Sequence, residues 1–276
     1  MALLIDGVAI VTGAGSGIGR ECCFAYASHG ARAVVMADSN YSTALETAHQ
    51  SNLLATHADY ESLAIQVDVG DPESIAKMVT ATVQRFGRID YSVNSAGVGV
   101  RKPAPVDDVD LEEMNRFWKV NVLGTLNCIK AVSKVMKLQG IRKATTRGKE
   151  RDVGRGVILN LGSCSSFMAT AEMLPYTTSK HAVMGMTKNA ALDLAKHGIR
   201  VNAICPSWVE TPMVNAAVEG NPSLSSLMEA SIPMARIAKV EEIADLVVLM
   251  TSPLASYVTG VGWIVDGGTT LQLKTS

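Results

Sequence analysis

Short apolar runs alternate along the chain with longer segments in which apolar residues recur at helical spacing. The apolar runs cover residues 8–11, 33–36, 63–67, 157–159 and 201–204. Runs of this length are typical of strands that are buried on both faces of a parallel sheet, and the helical segments between them are the expected crossovers. The pattern therefore predicts an α/β fold built around a mostly parallel sheet.

Capping residues mark where two of the helices begin. Asp71 followed by Pro72 predicts a helix start, because aspartate accepts hydrogen bonds from free amides and proline suits the first helical turn. Residues 85–87 predict the end of that helix. Glu241 and Glu242 predict a second start, because acidic side chains favour the positive end of the helix dipole.

Two segments interrupt the alternation. Residues 137–155 contain seven basic residues, two acids and three glycines, which predicts a basic surface insertion. A flexible charged loop and a surface that recognises a partner or a phosphate both fit this composition. Residues 207–236 contain prolines, serines and methionines at helical spacing, and their position directly after a strand predicts a mobile lid over a site.

Composition restricts the class of protein. The length of 276 residues and the hydrophobic fraction of 47% fit one domain, residues 1–276, with a core covered on both sides. A formal net charge of −1 provides no electrostatic footprint for nucleic acid or for an anionic membrane, so the expected partner is a small molecule. No segment approaches the roughly 18 uninterrupted apolar residues of a membrane span.

The cysteines and the amino-terminal residues indicate a compartment. The five cysteines are odd in number and lack the spacing of a metal or redox site, which predicts reduced thiols and no bound metal. The residues before Asp6 have no basic flank, so no export signal is expected. Together these patterns predict a cytoplasmic protein.

A glycine-rich turn follows the first apolar run directly. Glycines at positions 13, 15, 17 and 19 precede a helical segment over residues 20–28. Glycine permits tight turning and close approach of the backbone, and the free amides at the helix start can receive a pyrophosphate. A structural turn without a ligand is the alternative, because a glycine-rich turn alone is weakly specific.

Asp38 lies at the end of the second predicted strand, nineteen residues beyond Gly19. A carboxylate at this place can bind a ribose 2′-hydroxyl and repel a 2′-phosphate, which predicts a preference for NAD(H). NADP(H) is not excluded, although no basic residue lies within the glycine turn to favour it. The alternative for Asp38 is a helix cap ahead of Tyr41.

Tyr176 and Lys180 are one helical turn apart, and Ser163 precedes the tyrosine by thirteen positions. Residues at positions i and i+4 share a helix face, so a cation can lie beside the phenol. A free tyrosine has a pKa of about 10, and a nearby positive charge lowers it. The phenol is then suited to exchange a proton near neutral pH.

The chain resembles the short-chain dehydrogenase/reductase family over nearly its full length. The motifs that carry the resemblance are the glycine turn, Asp68-Val69, Asn94-Ser95-Ala96-Gly97, Asn121, and the trio Ser163, Tyr176 and Lys180. Ser95 replaces the second asparagine of the family's motif, which leaves Asn94 free for structural hydrogen bonds. The resemblance implies a single-domain Rossmann fold with a doubly wound, mostly parallel seven-stranded sheet and helices on both faces.

The resemblance also implies roles for individual residues. The catalytic tetrad is Asn121, Ser163, Tyr176 and Lys180. The cofactor-binding residues are Gly13, Ser16, Gly17, Ile18, Gly19, Asp38, Asp68, Val69, Asn94, Ala96, Gly97, Tyr176, Lys180, Val209 and Thr211. Tyr176 exchanges a proton with the substrate oxygen, Ser163 orients that oxygen, and Lys180 lowers the tyrosine pKa and holds the nicotinamide ribose. Asn121 helps to position water in a proton relay.

Each member of the tetrad other than the tyrosine also has a structural interpretation. Ser163 is suited to capping a turn, Asn121 to bending a helix, and Lys180 to extending from an ordinary helix face. The order and spacing of all four residues favour the catalytic interpretation over these alternatives.

The carboxyl-terminal third contains one departure from the family pattern. Pro206-Ser207 stands where the family has Pro-Gly, and serine restricts the backbone more than glycine does. By resemblance, Thr211 and the backbone of Val209 contact the nicotinamide carboxamide. Residues 259–268 resemble the family's last strand and subunit-contact region, which implies a homotetramer, with a homodimer as the alternative.

The predicted function is therefore an NAD(P)(H)-dependent oxidoreductase that interconverts a secondary alcohol and a ketone. Asp38 and NAD(H) favour the oxidation direction. The methionines of the predicted lid favour a hydrophobic substrate, such as a steroid-like, polyketide-like or other cyclic secondary metabolite, although packing of the lid would also explain them. A redox-neutral cyclase or dehydratase on the same scaffold, and a cofactor-binding sensor without turnover, are the two alternatives.

Overall fold

The computed structural model of the chain describes residues 5–220 and 223–271. The strands are β1 (Val8–Thr12), β2 (Ala33–Asp38), β3 (Glu61–Gln66), β4 (Tyr91–Asn94), β5 (Arg142–Thr146), β6 (Lys149–Gly154), β7 (Gly156–Leu161), β8 (Ile199–Pro206) and β9 (Gly262–Val265). Seven of them form one sheet in the order β3-β2-β1-β4-β7-β8-β9, and every neighbouring pair in it is parallel.

The helices lie on both faces of this sheet. They are α1 (Gly17–Ser28), α2 (Tyr41–Leu54), α3 (Pro72–Phe86), α4 (Leu111–Phe117), α5 (Thr125–Leu138), α6 (Leu174–Ala195), α7 (Pro212–Gly220), α8 (Ser223–Ala230) and α9 (Val240–Thr251). Ala9 and Val11 of β1 belong to an apolar cluster with α1, α2 and α9, whereas Val8 and Ile10 belong to a second cluster with α3, α5 and α6. The predicted doubly wound, seven-stranded Rossmann fold is confirmed.

The predicted helix boundaries agree with the structure. Asp71 caps α3, because its side chain accepts a hydrogen bond from the Glu73 amide at 2.9 Å, and Gly87 ends the helix with a φ of +79°. Helix α9 begins at Val240, directly before the two glutamates. The predicted strand over residues 63–67 is shifted, since pairing with β2 begins at Glu61.

The basic segment over residues 137–155 has regular structure. Helix α5 continues to Leu138, and β5 and β6 then form an antiparallel hairpin whose two-residue turn, Arg147 and Gly148, has positive φ at both positions. Gln139 and Arg155 close the neck of this hairpin. The Gln139 side chain donates to the Arg155 carbonyl at 2.9 Å, and the Arg155 side chain donates back to the Gln139 carbonyl at 2.9 Å.

The predicted lid over residues 207–236 contains α7 and α8, and its residues 221–222 lie outside the described residues. Both ends of the segment are joined beside the sheet. The Glu210 amide donates to the Ala238 carbonyl at 2.8 Å, and the Ala238 amide donates to the Trp208 carbonyl at 3.0 Å. The chain therefore leaves the sheet at the start of this segment and returns to the same place at its end.

Two further observations bear on the sequence predictions. None of the helices over residues 5–220 and 223–271 has both the length and the apolar character to cross a bilayer. All five cysteines have unpaired thiols, and four of them are buried. Residues 1–4, which were part of the prediction about export, lie outside the described residues.

Candidate active site

The candidate active site lies at the carboxyl edge of the sheet, where the strand order reverses beside β1. In open α/β sheets, ligands bind outside the carboxyl ends of the strands at such a switch point. The glycine turn follows β1, the Asn94 motif follows β4, Ser163 follows β7, and the predicted lid follows β8. Because all these strands are parallel, their carboxyl ends bring the four segments to one edge.

The glycine turn adopts a conformation that requires glycine at two positions. Gly13 and Gly17 have φ values of +69° and +51°. A Cβ atom on Gly13 would lie 2.9 Å from the Ala96 Cα, and one on Gly17 would lie 3.3 Å from a methyl group of Thr211. The turn thus packs against two other predicted cofactor residues and leaves no space for side chains there.

The start of α1 is open to a ligand. Ser16 occupies the capping position in an extended conformation, but its side chain makes no capping hydrogen bond. The first amides of the helix therefore keep hydrogen-bonding capacity, and the helix dipole favours an anion at this end. Ile18 is partly buried against the apolar cluster of α1, and Gly19 is buried.

Asp38 points toward the glycine turn. Its Oδ2 atom accepts a hydrogen bond from the Gly15 amide at 2.9 Å, and its Oδ1 atom accepts one from the Asn40 amide at 2.9 Å. The alternative interpretation, that Asp38 caps α2, is wrong, because the side chain of Asn40 accepts the amide hydrogen bonds of Ser42 and Thr43.

The predicted adenine-side and fourth-strand motifs occupy different environments. Asp68 is exposed and lies 3.4 Å from the Lys119 ammonium, whereas Val69 is buried. Asn94 is buried and donates to Asn160 Oδ1 at 2.8 Å, which is the structural role expected for it.

The backbone around Gly97 is also held in place. Thr12 Oγ1 accepts a hydrogen bond from the Ala96 amide at 3.3 Å. A Cβ atom on Gly97 would lie 3.3 Å from Asn121 Oδ1, so the glycine permits close approach of Asn121, the predicted member of the tetrad. The segment after β4 thus connects the glycine turn to the tetrad.

Ser163 is both a capping residue and a neighbour of Tyr176. Its hydroxyl accepts a hydrogen bond from the Ser165 amide at 3.1 Å and caps the 3₁₀ turn Cys164–Ser166. Its side chain also lies close enough to Tyr176 to lower the pKa of the phenol. Ser166 donates to the Lys180 carbonyl at 2.9 Å, which fixes the turn to α6. Ser163 therefore caps a turn, and its catalytic role stays a prediction.

Burial dominates the proton affinity of Tyr176. Burial raises its pKa above the usual value, and the nearby Ser163 side chain offsets only part of this effect. Phe117 packs edge-to-face on the tyrosine ring, with centroids 6.1 Å apart, and holds the ring in place.

Lys180 makes a different contact from the one expected. Its ammonium donates to the Leu161 carbonyl at 2.7 Å and lies 5.6 Å from the centre of the Tyr176 ring. Burial lowers the pKa of Lys180 to about 8. The pKa of Tyr176 stays above its usual value, because burial raises it more than the Ser163 side chain lowers it, and the predicted effect of Lys180 on the tyrosine stays a prediction.

Asn121 lies in a π-helix, Trp118–Gly124, which joins α4 to α5. Its side-chain oxygen accepts a hydrogen bond from the Val98 amide at 2.8 Å, and its side-chain nitrogen lies 3.2 Å from both the Val98 carbonyl and the Ser179 hydroxyl. π-Helices are rare and are frequent at functional sites. This π-helix places the buried side-chain amide of Asn121 between the segment after β4 and helix α6.

Ser207 fits its turn without strain. It is absent from the residues with positive φ, and its amide donates to the Val265 carbonyl at 3.1 Å. Val209 is buried, so its backbone rather than its side chain can face the site. Thr211 caps the start of α7 by accepting the Val214 amide at 3.3 Å.

Two further features lie near the site: a methionine of the predicted lid, and a cavity to which no sequence signal pointed. Met213 of α7 lies against Gly99, where a Cβ atom would be 2.8 Å from its sulfur. A cavity of about 200 Å³ lies against the first turns of α6, with Ala104, Glu172 and Thr177 in its lining. The Thr177 hydroxyl is buried and has no hydrogen-bond partner among the described residues.

The described residues contain no cluster of three or more histidine, cysteine, aspartate or glutamate side chains arranged to hold a metal ion. The carboxyl edge itself presents the hydroxyls of Ser163 and Tyr176, the Lys180 amine and the buried Asn121 amide.

The chain is similar to known proteins over its whole length. A sequence model of the family described as enoyl-(acyl carrier protein) reductase matches residues 13–270. The short-chain dehydrogenase anuF of Penicillium roqueforti is 63% identical over 275 residues, with 100% of each chain covered. A 2-(R)-hydroxypropyl-CoM dehydrogenase of Xanthobacter autotrophicus is 34% identical, with 95% of this chain and 98% of the relative covered. The crystal structure of levodione reductase matches with a TM-score of 0.86 and 31% identity, covering 96% and 98% of the two chains.

Proposed function

The chain belongs to the short-chain dehydrogenase/reductase family, and on that basis we propose that it interconverts a secondary alcohol and a ketone with a nicotinamide cofactor. The observation that carries this proposal is that the Ser163 side chain lies beside the Tyr176 phenol and lowers its pKa, at the carboxyl edge of the sheet. Two relatives are named as a dehydrogenase of a hydroxypropyl compound and as a reductase, in agreement with this class of reaction.

The residues at this edge fit a dinucleotide. Gly13 and Gly17 keep the backbone free of side chains, and the open start of α1 offers amides to a pyrophosphate. Asp38 and Thr211 lie against this turn and are the proposed ribose and carboxamide contacts, and Asp68, beyond the end of β3, is the proposed adenine contact. When bound, the nicotinamide exchanges a hydride with the substrate carbon.

The proton transfer that accompanies the hydride transfer is carried out by the protein's own residues. In oxidation, Tyr176 accepts the hydroxyl proton of the alcohol, and in reduction it donates a proton to the ketone oxygen. Ser163 donates a hydrogen bond to the same oxygen and orients it. Lys180 lies close enough to the ring to favour the phenolate when its ammonium turns toward it, and Asn121 anchors the surrounding helix.

We propose a preference for NAD(H) over NADP(H). The Asp38 carboxylate is held against the glycine turn by the Gly15 amide. A 2′-phosphate on the adenosine ribose would meet this negative charge, whereas a 2′-hydroxyl could donate a hydrogen bond to it. NADP(H) remains the alternative cofactor of the proposal.

We propose a hydrophobic substrate of the cyclic, secondary-metabolite type, covered by a lid over residues 207–236. Met213 is about half exposed and lies against Gly99, so the lid already approaches the segment after β4. Methionine adapts to irregular apolar surfaces. The buried Thr177 hydroxyl in the neighbouring cavity offers one polar contact to a substrate that extends beyond the reacting carbon.

The assembly and location are also proposals. Trp263 and Val261, at the last strand, keep about 40% of their surface exposed, which supports a subunit contact there and a homotetramer or homodimer. Five unpaired cysteines support a reducing, cytoplasmic environment.

The test begins with the binding of NADH and NADPH to the purified protein, followed by incubation with a panel of secondary alcohols and ketones. The expected result is tighter binding of NADH and an absorbance change of the nicotinamide with at least one substrate. Product without an absorbance change would favour a redox-neutral cyclase or dehydratase, and cofactor binding without any product would favour a sensor. Binding of neither cofactor would contradict the proposal.

A further inference from the structure

Arg116 lies near the end of α4, one residue before the phenylalanine that packs on Tyr176. Its side chain is only 19% exposed, and the side chain of its partner Glu113 is 14% exposed. The Arg116 Nε atom donates to Glu113 Oε2 at 2.7 Å, and a terminal nitrogen donates to Glu113 Oε1 at 2.6 Å. Two parallel hydrogen bonds of this kind fix the orientation of the guanidinium plane.

The same terminal nitrogen of Arg116 has a second partner outside the helix. It donates to the Gly99 carbonyl at 2.6 Å, and Gly99 lies seventeen residues earlier in the chain. An ion pair between residues three apart on an exposed helix contributes little to stability. The shielding of both side chains and the bond to Gly99 distinguish this pair from a surface pair, so its effect extends to the segment after β4.

Arg116 and Glu113 together hold the segment after β4 at two points. One is the Gly99 carbonyl, and the other is the Arg101 amide, which donates to Glu113 Oε1 at 3.2 Å. Gly99 is also the residue against which Met213 of the predicted lid lies. The part of the chain that this ion pair holds is therefore the part that the predicted lid approaches.

Arg116 also contacts the packing partner of Tyr176. Its guanidinium carbon lies over the Phe117 ring, 4.9 Å from the ring centre. Phe117 is fully buried, and its ring packs edge-to-face on the Tyr176 ring, with centroids 6.1 Å apart. A cation over an aromatic face is attracted to it, and the attraction is stronger where water is excluded. The guanidinium, the Phe117 ring and the phenol therefore form one continuous row of contacts.

We propose that Arg116 is a positioning residue for the proton transfer assigned to Tyr176. Held by Glu113 and Gly99, its guanidinium fixes the Phe117 ring, and that ring fixes the phenol relative to the substrate oxygen. This role rests on the proposed function, because it requires that Tyr176 exchanges a proton. A misplacement of about 1 Å at a reacting group can lower the rate about 100-fold, so a side chain without contact to the substrate can still change kcat.

The test replaces Arg116 by methionine, which removes the hydrogen bonds and keeps an unbranched side chain. Turnover is measured with NADH and three hydrophobic cyclic ketones, cyclohexanone, decalone and tetralone, and cofactor binding is measured by NADH fluorescence. The kcat of Arg116→Met is expected to fall at least about tenfold, whereas KM for the ketone and the NADH dissociation constant stay within about threefold. A lower melting temperature with unchanged kcat would mean a merely structural role and would overturn the proposal.

Arg88→Met is the matched control. Arg88 also forms a partly buried ion pair, with Asp90 at the opposite edge of the sheet, so its loss is expected to lower stability and to leave kcat within about twofold. An equal fall of kcat in Arg88→Met and Arg116→Met would mean a general effect of lost stability and would overturn the proposal.

The wild-type protein separates this role from the function on which it rests. No turnover by the wild type, with any of the ketones or with the corresponding alcohols and NAD⁺, would contradict the proposed function and this role with it. Turnover by the wild type together with an equal kcat in Arg116→Met would overturn the role of Arg116 alone.

Two further variants give a result even if Arg116→Met does not fold. Arg116→Lys keeps the charge and the aliphatic stem but lacks the planar guanidinium, and its kcat is expected to fall at least about threefold. Adding Glu113→Gln to Arg116→Lys should lower kcat by less than about twofold more, because the two residues act as one unit. An unchanged kcat in Arg116→Lys, or a fully additive loss in the double variant, would overturn the proposal.

Discussion

The two edges of the central sheet use polar residues in opposite ways. At the carboxyl edge, Ser163, Tyr176 and Lys180 are positioned by partners within the chain, yet each keeps a polar group that can contact a ligand. At the amino edge, where β4 and β8 begin, Asp90 and Arg200 are buried. Nearly all of their donors and acceptors are hydrogen-bonded to other groups of the protein. Substitutions at the carboxyl edge are therefore expected to change kcat, and substitutions at the amino edge are expected to change the free energy of unfolding.

The largest effect is expected when the proton carrier of the carboxyl edge is removed. Tyr176→Phe should lower kcat by at least about 100-fold, because a general acid or base contributes a factor of this size or more, while NADH binding is retained. Turnover is followed by nicotinamide absorbance, and binding by NADH fluorescence. Tyr257→Phe is the control, since Tyr257 is fully exposed. A Tyr176→Phe enzyme with unchanged kcat would contradict the assignment of the proton carrier.

At the amino edge, Asp90→Asn should reduce the free energy of unfolding by about 3 kcal/mol. Removing one partner of a buried ion pair leaves the other charge uncompensated, and Asp90 is fully buried beside two arginines. Urea unfolding provides the measurement, with Asp107→Asn as an exposed control. Where Asp90→Asn is still folded, kcat is expected to stay within about twofold of wild type. A loss of kcat without a loss of stability would mean that the two edges are not separate in function.

A pH titration tests Lys180 at the carboxyl edge. Its pKa in the folded protein is about 8, below the value of about 10.4 for an unfolded lysine. Between these values the unfolded state binds more protons, so this residue makes the free energy of unfolding rise with pH, by at most about 1.4 kcal/mol per unit. Below pH 8 the contribution no longer changes, because both states are protonated.

The rise between pH 8 and about 10.4 should be smaller in Lys180→Met than in the wild-type protein. Lys188→Met, on the exposed side of the same helix, is the control and should leave the slope unchanged. Identical slopes for all three proteins would mean that Lys180 is not buried enough to lose its proton early.

Cofactor preference should respond to Asp38. Asp38→Ala is expected to raise the affinity for NADPH relative to NADH at least about tenfold, because it removes a negative charge from the place of a 2′-phosphate. The ratio of the two dissociation constants is the measured quantity, which corrects for any loosening of the glycine turn. Asp59→Ala is the exposed control. A constant ratio would assign the preference to another residue.

The smallest effect is expected for a charge pair at the surface of the hairpin. Lys143 and Glu150 lie 2.8 Å apart, and about 60% of each side chain is exposed. Exposed pairs contribute little, so a double-mutant cycle with Lys143→Ala and Glu150→Ala should give a coupling energy below about 0.5 kcal/mol. A coupling energy close to the loss expected for Asp90→Asn, about 3 kcal/mol, would mean that buried and exposed charges contribute equally to stability at this edge.

The sequence was most informative where local chemistry decides the structure. Gly13 and Gly17 were identified because no other residue fits so freely into their backbone conformation, and Asp71 because its capping hydrogen bond is local. The spacing of Tyr176 and Lys180 placed them on one helix face, and the family resemblance added Ser163 and the catalytic interpretation. Each of these signals is read from neighbouring residues.

Features that depend on distant parts of the chain were not predicted. The π-helix around Asn121 depends on partners at Val98 and Ser179, far away in sequence. The raised pKa of Tyr176 and the lowered pKa of Lys180 depend on burial, which spacing does not reveal. The hairpin was predicted to be a loop or a recognition surface, because its residues are mostly polar and its turn has Arg147 where asparagine or aspartate is usual before the glycine.

The closed neck of the hairpin has a practical consequence. Gln139 and Arg155 join the two ends of the insertion by reciprocal hydrogen bonds, so the chain beyond them leaves and re-enters the fold at one point. The base of the hairpin lies at the amino end of β4, where Arg142 donates to the Tyr91 hydroxyl, on the edge of the sheet opposite the candidate active site. A fluorescent label or an affinity tag placed in the Arg147-Gly148 turn would report on the protein, or hold it on a surface, while the substrate entrance stays clear.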